Sequence, residues 1–551
     1  MRKIENLLLK NLCNNTYLNT NYNYYNIMIL DAKTLGDLIC IINGQFSPLN
    51  TFMTENNWKN VCENMHLTDN SFFPLPISLA VDNAKIGDII NLCDETNYIL
   101  ATLTVTEVYK PDILWECKQA YGTTDDNHPY VKYKMSHINK FYVSGELKEV
   151  NKPRFYDFME YRMNPAEVKK KFKEKGWKTI VGFQTRNPMH RAHYELTKYA
   201  LNKTGESNAK LLLNPVVGQT QTVDIDYSTR VHCYKAMLNK YENDSVLLSL
   251  LPLTMRMAGP REACLHALIR KNYGCTHFVV GRDHAGPSFK TKKGESFYGP
   301  YEAQELFFKY AEELDIKPIV SKMIVFNNSK KIYQPIDEIP EGDEILKLSG
   351  SEVRLRLNTG QKIPSWFTYP EISKILRASI KKKGFCYYII GLCASGKTTL
   401  ANKLMIKIRE KFPEKEVTIL DGDIVRQNLS KGLGFSKKDR STNVRRIGYV
   451  ASEIVKHGGI VICANIAPYN EDRLYNRKMI SKYGEYREIW VNTDLNLCET
   501  RDVKGLYKLA REGKIKQFTG ISDPFETPTN SDIVINNNEF ENIETIFNNI
   551  V

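Results

Sequence analysis

The apolar positions fall into short runs set apart by turn residues, and the period of those runs changes along the chain. From Met28 to about Asn151 the runs are strand-sized and mixed, as in Ile77 to Val81, Ile86 to Leu92 and Ile99 to Val108, which predicts a β-rich domain. A charged segment, Ala166 to Lys175, is helical in pattern, and Trp177 to Phe183 follows as an apolar strand. Strand and helix signals then alternate to about Phe326. Leu211 to Val217, Ser245 to Leu251 and His277 to Gly281 have the continuous apolar character of buried parallel strands, with helical segments such as His190 to Leu201 and Arg261 to Lys271 between them. A proline-bearing stretch with a Trp-Phe pair runs to about Ile380, and Lys381 to Gly384 is a linker candidate. A second α/β unit opens at Phe385.

These patterns predict a multidomain α/β protein. The expected divisions are an Asn-rich disordered extension at 1–27, a β-rich domain at 28–170, a catalytic α/β domain at 171–326, a small α/β domain and linker at 327–383, and a last α/β domain at 384–551. The chain has 551 residues, 42% apolar and 25% charged, which excludes disorder as its main state. No apolar run approaches the ~20 residues of a membrane span, and the residue 1–27 segment has neither a signal-peptide core nor the Arg content of a transit peptide. The net charge of +13 has no dense Lys/Arg block, which fits small anionic substrates and gives no motif for nucleic acid. The twelve cysteines form no CxxC pair, and most lie in apolar runs such as those at Cys40, Cys386 and Cys463. They read as buried thiols of a reducing compartment, the cytoplasm or an organelle matrix.

The first chemical signal is Gly391-Leu392-Cys393-Ala394-Ser395-Gly396-Lys397-Thr398, which fits GxxxxGK[ST]. It lies between an apolar strand, Phe385 to Ile390, and a helical segment, Thr399 to Lys411. That context is the one a phosphate-binding loop needs: backbone N–H groups curl round a phosphate, Lys397 reaches the β and γ phosphates, and Thr398 ligates magnesium. A second strand, Val417 to Leu420, ends in Asp421-Gly422-Asp423, whose carboxylates can hold magnesium or accept a proton.

The second signal is a set of three clusters at strand ends in the larger part. They are Gln184 to His193 (QTRNPMHRAH), Met255 to Glu262 (MRMAGPRE) and Gly281 to Pro287 (GRDHAGP). Pro188 suits a helix's first turn, which would set His190 and His193 at i, i+3 on one face. A metal pair and a polyphosphate site both suit two such histidines. Three clusters together favour a nucleotide site.

The C-terminal part resembles adenylylsulfate (APS) kinase. The resemblance rests on Gly391 to Thr399, Leu420 to Asp423, Leu433 to Ser436, Asp439-Arg440, Asn443 to Gly448, Val461 to Tyr469, Arg501 to Tyr507 and Lys516 to Asp523. It implies transfer of the ATP γ-phosphoryl group to the 3′-hydroxyl of APS, giving PAPS. It also implies an ATP site at Gly391, Cys393, Ala394, Ser395, Gly396, Lys397, Thr398 and Thr399, and an APS site at Asp423, Arg426, Phe435, Arg440, Asn443, Ile466, Lys504 and Phe518. Asp421, Asp423 and Lys397 would be catalytic. The family often has Ser where Ala467 stands, and Cys393 is an unusual loop residue.

The N-terminal part resembles ATP sulfurylase over about Asp31 to Arg377. Beyond the three clusters, Gly44 to Asn50, Gly122 to Asp125, Phe297 to Gln304, Ser349 to Leu357 and Ile363 to Tyr369 carry the likeness. It implies a PUA-like first domain, an HxxH-type nucleotidylyltransferase domain, and conversion of sulfate and MgATP to APS and pyrophosphate. Thr185, Arg186, Asn187, His190 and His193 would be catalytic, with Arg186 holding sulfate and the histidines stabilising pyrophosphate. Gln184, Arg186, Asn187, Gly281, Arg282, Asp283, His284, Ala285 and Ile324 would bind ATP and sulfate. Where relatives have His and Lys this chain has Asn214 and Gln221, which are expected to lie off the core site.

The expectation is therefore a bifunctional, homo-oligomeric sulfate-activating enzyme. Its partners would be ATP, sulfate, APS, pyrophosphate and PAPS, with Mg²⁺ arriving with ATP and no tightly held metal or organic cofactor. Two other readings stay open. In one, the C-terminal domain is a regulatory PAPS-binding module, although such modules lose the phosphate loop. In the other, the sulfurylase runs backwards and makes ATP.

Overall fold

Among the described residues the strands form four sheets. The structure, a computed structural model, describes residues 27–221, 224–320, 322–380, 384–411 and 416–536. The extension expected at 1–27 and the lysines of the expected linker lie outside those residues, except Ile27. The chain divides into two units, Met1–Ser379 and Ile380–Val551.

In the first unit, β1 (Ile27–Ile29), β2 (Leu79–Val81), β3 (Ile89–Cys93), β4 (Ile99–Tyr109) and β5 (Phe141–Glu149) form one sheet in the order β1-β3-β4-β5-β2. Four helices, Ala32–Ile42, Glu55–Asn64, Ile113–Tyr121 and Pro129–Met135, accompany it, so this region is more mixed than its short apolar runs indicate. The strand expected from Ile86 starts at Ile89, because Gly87 takes φ 92° in a turn.

The second sheet is wholly parallel: β6 (Ile180–Phe183), β7 (Lys210–Leu213), β8 (Val246–Leu248), β9 (His277–Val280) and β10 (Lys317–Val320), in the order β10-β9-β6-β7-β8. Its edges are shorter than the apolar runs. Trp177 stacks on Phe172 of the preceding helix instead of entering β6, and Pro215 lacks the N–H that would extend β7. The strand order reverses between β6 and β9. That switch point is where the loops at the carboxyl ends of two neighbouring strands part and leave a crevice. One apolar core runs from Leu30 through Leu212 and Phe278 to Ile316, joining the first sheet to the second. A three-stranded antiparallel sheet follows: β11 (Ile324–Asn327), β12 (Ile332–Pro335) and β13 (Ile345–Leu346), with helices Gly350–Asn358 and Pro370–Ala378 after it.

The second unit holds β14 (Gly384–Ile390), β15 (Val417–Asp421), β16 (Ile460–Ala464), β17 (Gly484–Asn492) and β18 (Ile533–Asn536). They are all parallel, in the order β15-β16-β14-β17-β18. Apolar clusters pack on both faces, which is why β14 and β16 read as unbroken apolar runs. Among the described residues no helix is long and apolar enough to cross a membrane.

Candidate active sites

In the first unit the loops after β6 and β9, the two strands at the switch point, face a cavity of about 340 Å³. Arg186 leaves the end of β6 and lines it. Its Nη1 donates to Met257 Sδ at 2.7 Å, its Nη2 donates to the Gly286 carbonyl at 3.3 Å, and its Nε stands 3.8 Å from Asp224 Oδ2. Burial pulls this guanidinium below its ordinary value, and Asp224 and Glu262 pull it back. The loop itself is tied down. Thr185 Oγ1 donates to the Asn187 carbonyl and accepts from the Asn187 N–H, Tyr234 Oη donates to the same carbonyl, and Arg230 donates to the Arg186 carbonyl at 2.9 Å.

The helix of the two histidines starts later than expected. The helix starts at Arg191, so Pro188 precedes it and His190 is its N-cap. His193 Nδ1 accepts from the His190 backbone N–H at 3.2 Å, and the two rings lie 5.9 Å apart. The pair therefore sits at the helix's N-terminal end, His190 as the cap and His193 in the first turn, with the two rings adjacent as the i, i+3 spacing implies. His190 also packs on Phe367, 4.4 Å between centroids, and its Nδ1 lies 3.1 Å from Thr368 Oγ1. Burial pushes His190 down to about 3 and His193 to about 4, with each neutral at pH 7.

After β9, Asp283 and Ala285 take positive φ (52° and 57°), which folds the loop back over the cavity with Arg282 and His284 in its wall. Gly259 is required opposite. It has φ 51°, its N–H donates to the Ala285 carbonyl at 3.2 Å, and a Cβ there would fall 2.5 Å from the Tyr298 ring.

In the second unit the phosphate loop leaves β14 into the helix Lys397–Lys411. Gly391 has φ 151°, and a Cβ would stand 2.6 Å from the Val491 carbonyl, so only glycine fits. Lys397 Nζ folds onto the loop, donating to the Leu392 carbonyl at 2.5 Å. Thr398 Oγ1 donates to Asp421 Oδ2 at 2.7 Å, and Asp421 Oδ1 accepts from the Asp423 N–H at 2.9 Å. This hydroxyl and carboxylate are hard oxygen donors of the kind Mg²⁺ takes. Lys504 pairs with Asp423. The Arg426 and Arg440 guanidinium groups lie 4.5 and 5.6 Å from the Phe435 ring centroid. A cavity of about 890 Å³ joins these groups.

Family models match the chain in three places: a PUA-like domain at residues 2–152, ATP-sulfurylase at 159–379 and adenylylsulphate kinase at 383–536. A sulfate adenylyltransferase of Chaetomium globosum is 43% identical over all of this chain and 96% of its own length. Another, of Aspergillus terreus, is 45% identical over 92% of this chain and 90% of its own. The chain belongs to the sulfate adenylyltransferase family. It is an enzyme with a nucleotidyltransferase unit and a kinase unit. A solved structure described as a hexameric APS kinase from Thiobacillus denitrificans covers 95% of this chain and 91% of its own, with 30% identity and a TM-score of 0.70. The PUA-like match starts inside the segment expected to be an extension.

Within this family member the cavities gather the expected residues unevenly. In the kinase unit, every expected residue except Gly391 and Ser395 lines the one cavity, including Cys393, Thr399, Asn443, Ile466 and Phe518. In the sulfurylase unit the cavity takes in Arg186, Arg282, Asp283 and His284, while Gln184, Thr185, Asn187, His190, His193, Gly281, Ala285 and Ile324 lie outside its walls. Ile324 opens β11, paired with Pro335. Residues to which the sequence assigns no role complete that wall: Ser288, Phe297, Tyr298 and Gly299. The block Phe297 to Gln304 was legible, but its position was not.

Of the two departures, Asn214 is fully buried, donating to the Ser249 carbonyl at 2.6 Å. Gln221 is nearer the chemistry than expected. Its Oε1 accepts from the Ser288 N–H at 2.9 Å, and Ser288 Oγ stands 3.5 Å from Arg186 Nη2.

Proposed function

We propose that this enzyme activates sulfate in two steps. In the first, a sulfate oxygen attacks the α-phosphorus of ATP, the bond from that phosphorus to the bridging oxygen breaks, and pyrophosphate leaves with APS formed. Sulfate is already anionic, so no base is needed. Arg186 supplies the cation that holds sulfate. His190 and His193 act as neutral dipoles: the bond into His193 Nδ1 leaves its proton on Nε2, a donor suited to the charge that builds on departing pyrophosphate. Gln184, Asn187, Gly281, Arg282, Asp283, His284, Ala285 and Ile324 form the nucleotide and sulfate surround.

In the second step the APS 3′-hydroxyl attacks the γ-phosphorus of a second ATP, ADP leaves, and the proton passes to Asp423. Asp421, bonded to Thr398, stands on the metal side, and Asp423, paired with Lys504, on the APS side. Mg²⁺ bound with ATP would neutralise phosphate charge there. Arg426 and Arg440 suit the phosphosulfate, and Phe435 and Phe518 suit the adenine.

The observation that carries the two-step reading is the complete phosphate loop, with Lys397, Thr398 and Asp421 in one cavity with Asp423. A regulatory module has no need of that chemistry. The test incubates the protein with ATP, magnesium, labelled sulfate and pyrophosphatase, and separates the products. PAPS is expected. APS alone would make the second unit regulatory, and neither product would overturn the reading. ATP formation from APS and pyrophosphate measures the reverse direction. We also propose a cytoplasmic homo-oligomer, the latter in line with the solved relative described as hexameric, and sedimentation tests it.

A further inference from the structure

Two fully buried polar groups in the sulfurylase unit have no part in the steps above. Glu262 and His266 lie one turn apart on the helix Gly259–Asn272, and neither is exposed at all. Such groups are costly inside a protein unless each proton has a partner. The Glu262 carboxylate accepts the backbone N–H groups of Arg256 at 2.8 Å and Ala258 at 3.0 Å, and its Oε1 stands 3.5 Å from His266 Nε2, near enough for charge attraction though the two form no hydrogen bond. On the other side of the ring, His266 Nδ1 faces His284 Nε2 at 3.0 Å. His284 belongs to the loop after β9 and lines the cavity with Arg186.

The protons can be placed. The Glu262 carboxylate, which takes two backbone donors, is the charge nearest His266 Nε2, and a proton on that nitrogen is favoured over a lone pair facing the carboxylate, so the His266 proton sits on Nε2. Burial holds both imidazoles neutral, with one proton each. His266 Nδ1 is therefore bare, and His284 must donate to it from Nε2. His284 Nδ1, which has no partner among the described residues, is left as an acceptor. A bare nitrogen suits an N–H or O–H of the nucleoside and does not suit a phosphate or sulfate oxygen.

We propose that Glu262 and His266 are positioning residues that hold His284 as the Nε2–H tautomer, with Nδ1 as the acceptor for an amino or hydroxyl donor of the ATP nucleoside. This rests on the reading of the cavity as the sulfurylase ATP site. Sulfate-dependent pyrophosphate release by the unaltered protein tests that reading separately.

The experiment compares His266→Phe, which removes the relay, with His266→Asn, whose amide oxygen can still accept from His284. Losing one oriented bond to substrate should raise the ATP KM about tenfold in the Phe variant, with kcat and the sulfate KM unchanged. The Asn variant should stay near wild type. ATP analogues lacking the 6-amino, 2′-hydroxyl or 3′-hydroxyl group identify the donor: the one that matters should bind worse in wild type but no worse than ATP in the Phe variant. Should the Phe variant not fold, His266→Leu serves, since a smaller apolar side chain likewise offers His284 no acceptor and should raise the ATP KM alike. Histidine-selective nitrogen NMR of the unaltered protein, with His284→Asn to assign the signal, reads the tautomer directly. Equal effects of Phe and Asn, an equal rise in sulfate KM, or an Nδ1–H tautomer at His284 would each overturn the proposal.

Discussion

Replacing Lys397 with Ala isolates the cation of the phosphate loop from its backbone cradle. The ammonium already sits inside the loop, 2.5 Å from the Leu392 carbonyl and 3.5 Å from Ser395 Oγ, and burial has pulled it below its ordinary value. Little further desolvation accompanies its turn toward ATP. At about 3 Å from a phosphate oxygen, in an effective dielectric of about 20, it gains roughly 5 kcal/mol per unit charge. Giving up the Leu392 bond returns about 2 kcal/mol of that. The remaining ~3 kcal/mol is the loss expected in the variant, a fall in the kinase rate of about a hundredfold or more. The loop should keep its shape, since Gly391, Ala394 and Gly396 hold it with φ of 151°, 53° and 101°. The assay is PAPS formation from supplied APS and ATP, alongside pyrophosphate release from ATP and sulfate. The kinase rate should fall while the sulfurylase rate stays, and labelled sulfate should accumulate as APS. A kinase rate within about threefold of wild type would refute the argument that the ammonium carries this charge.

Arg186→Ala should abolish APS formation and leave the kinase active on supplied APS; sulfate-dependent pyrophosphate release near the wild-type rate would exclude Arg186 as the sulfate cation. His190 and His193 have folded values of about 3 and about 4 against about 6.5 unfolded. Above pH 6.5 neither contributes, and between about pH 6.5 and 4 the unfolded chain takes up protons that the folded pair does not, so stability is lost as the pH drops. Urea midpoints across that range should show a shallower fall in the His190→Gln, His193→Gln double variant, and an unchanged slope would contradict the burial of the pair. Gly448→Ala sets a Cβ 2.0 Å from Asn476 Oδ1, where the Asn476 amide holds the Tyr388 hydroxyl and the Val444 carbonyl. Crowding and broken bonds together should destabilise the kinase unit by roughly 2–4 kcal/mol, seen as an earlier thermal loss of kinase than of sulfurylase activity.

The two sites differ in how far the sequence reveals them, and the reason is where their parts lie. A phosphate loop is eight contiguous residues that act mostly through backbone N–H groups, so strand, loop and helix are all visible in one window around residue 391. The parallel strands and the clusters at their ends are legible for the same reason, since a buried strand and the turn after it are local. The helix start near Pro188 was misjudged because its position is set from outside. Tyr234 and Arg230 bond the carbonyls of Asn187 and Arg186, and His190 meets Phe367 and Thr368, some 178 positions away.

The sulfurylase site depends on such contacts throughout. The loop at Met255 to Ala258 hangs on Arg256, which is fully buried and pairs with Asp37 at 2.6 Å across 219 positions, and on Glu262, which takes two of its N–H groups. His128 Nε2 donates to the carbonyl of Met257, whose sulfur touches Arg186. A buried charge whose partner is removed costs several kcal/mol, so a change at Asp37, far from any motif, should disturb Arg186 as surely as a change beside it. An intact motif is therefore good grounds for expecting a working kinase unit. For the sulfurylase unit it is necessary but weak, because several of the side chains behind Arg186 and His284, among them Asp37, His128, Asp224 and His266, lie outside the three clusters.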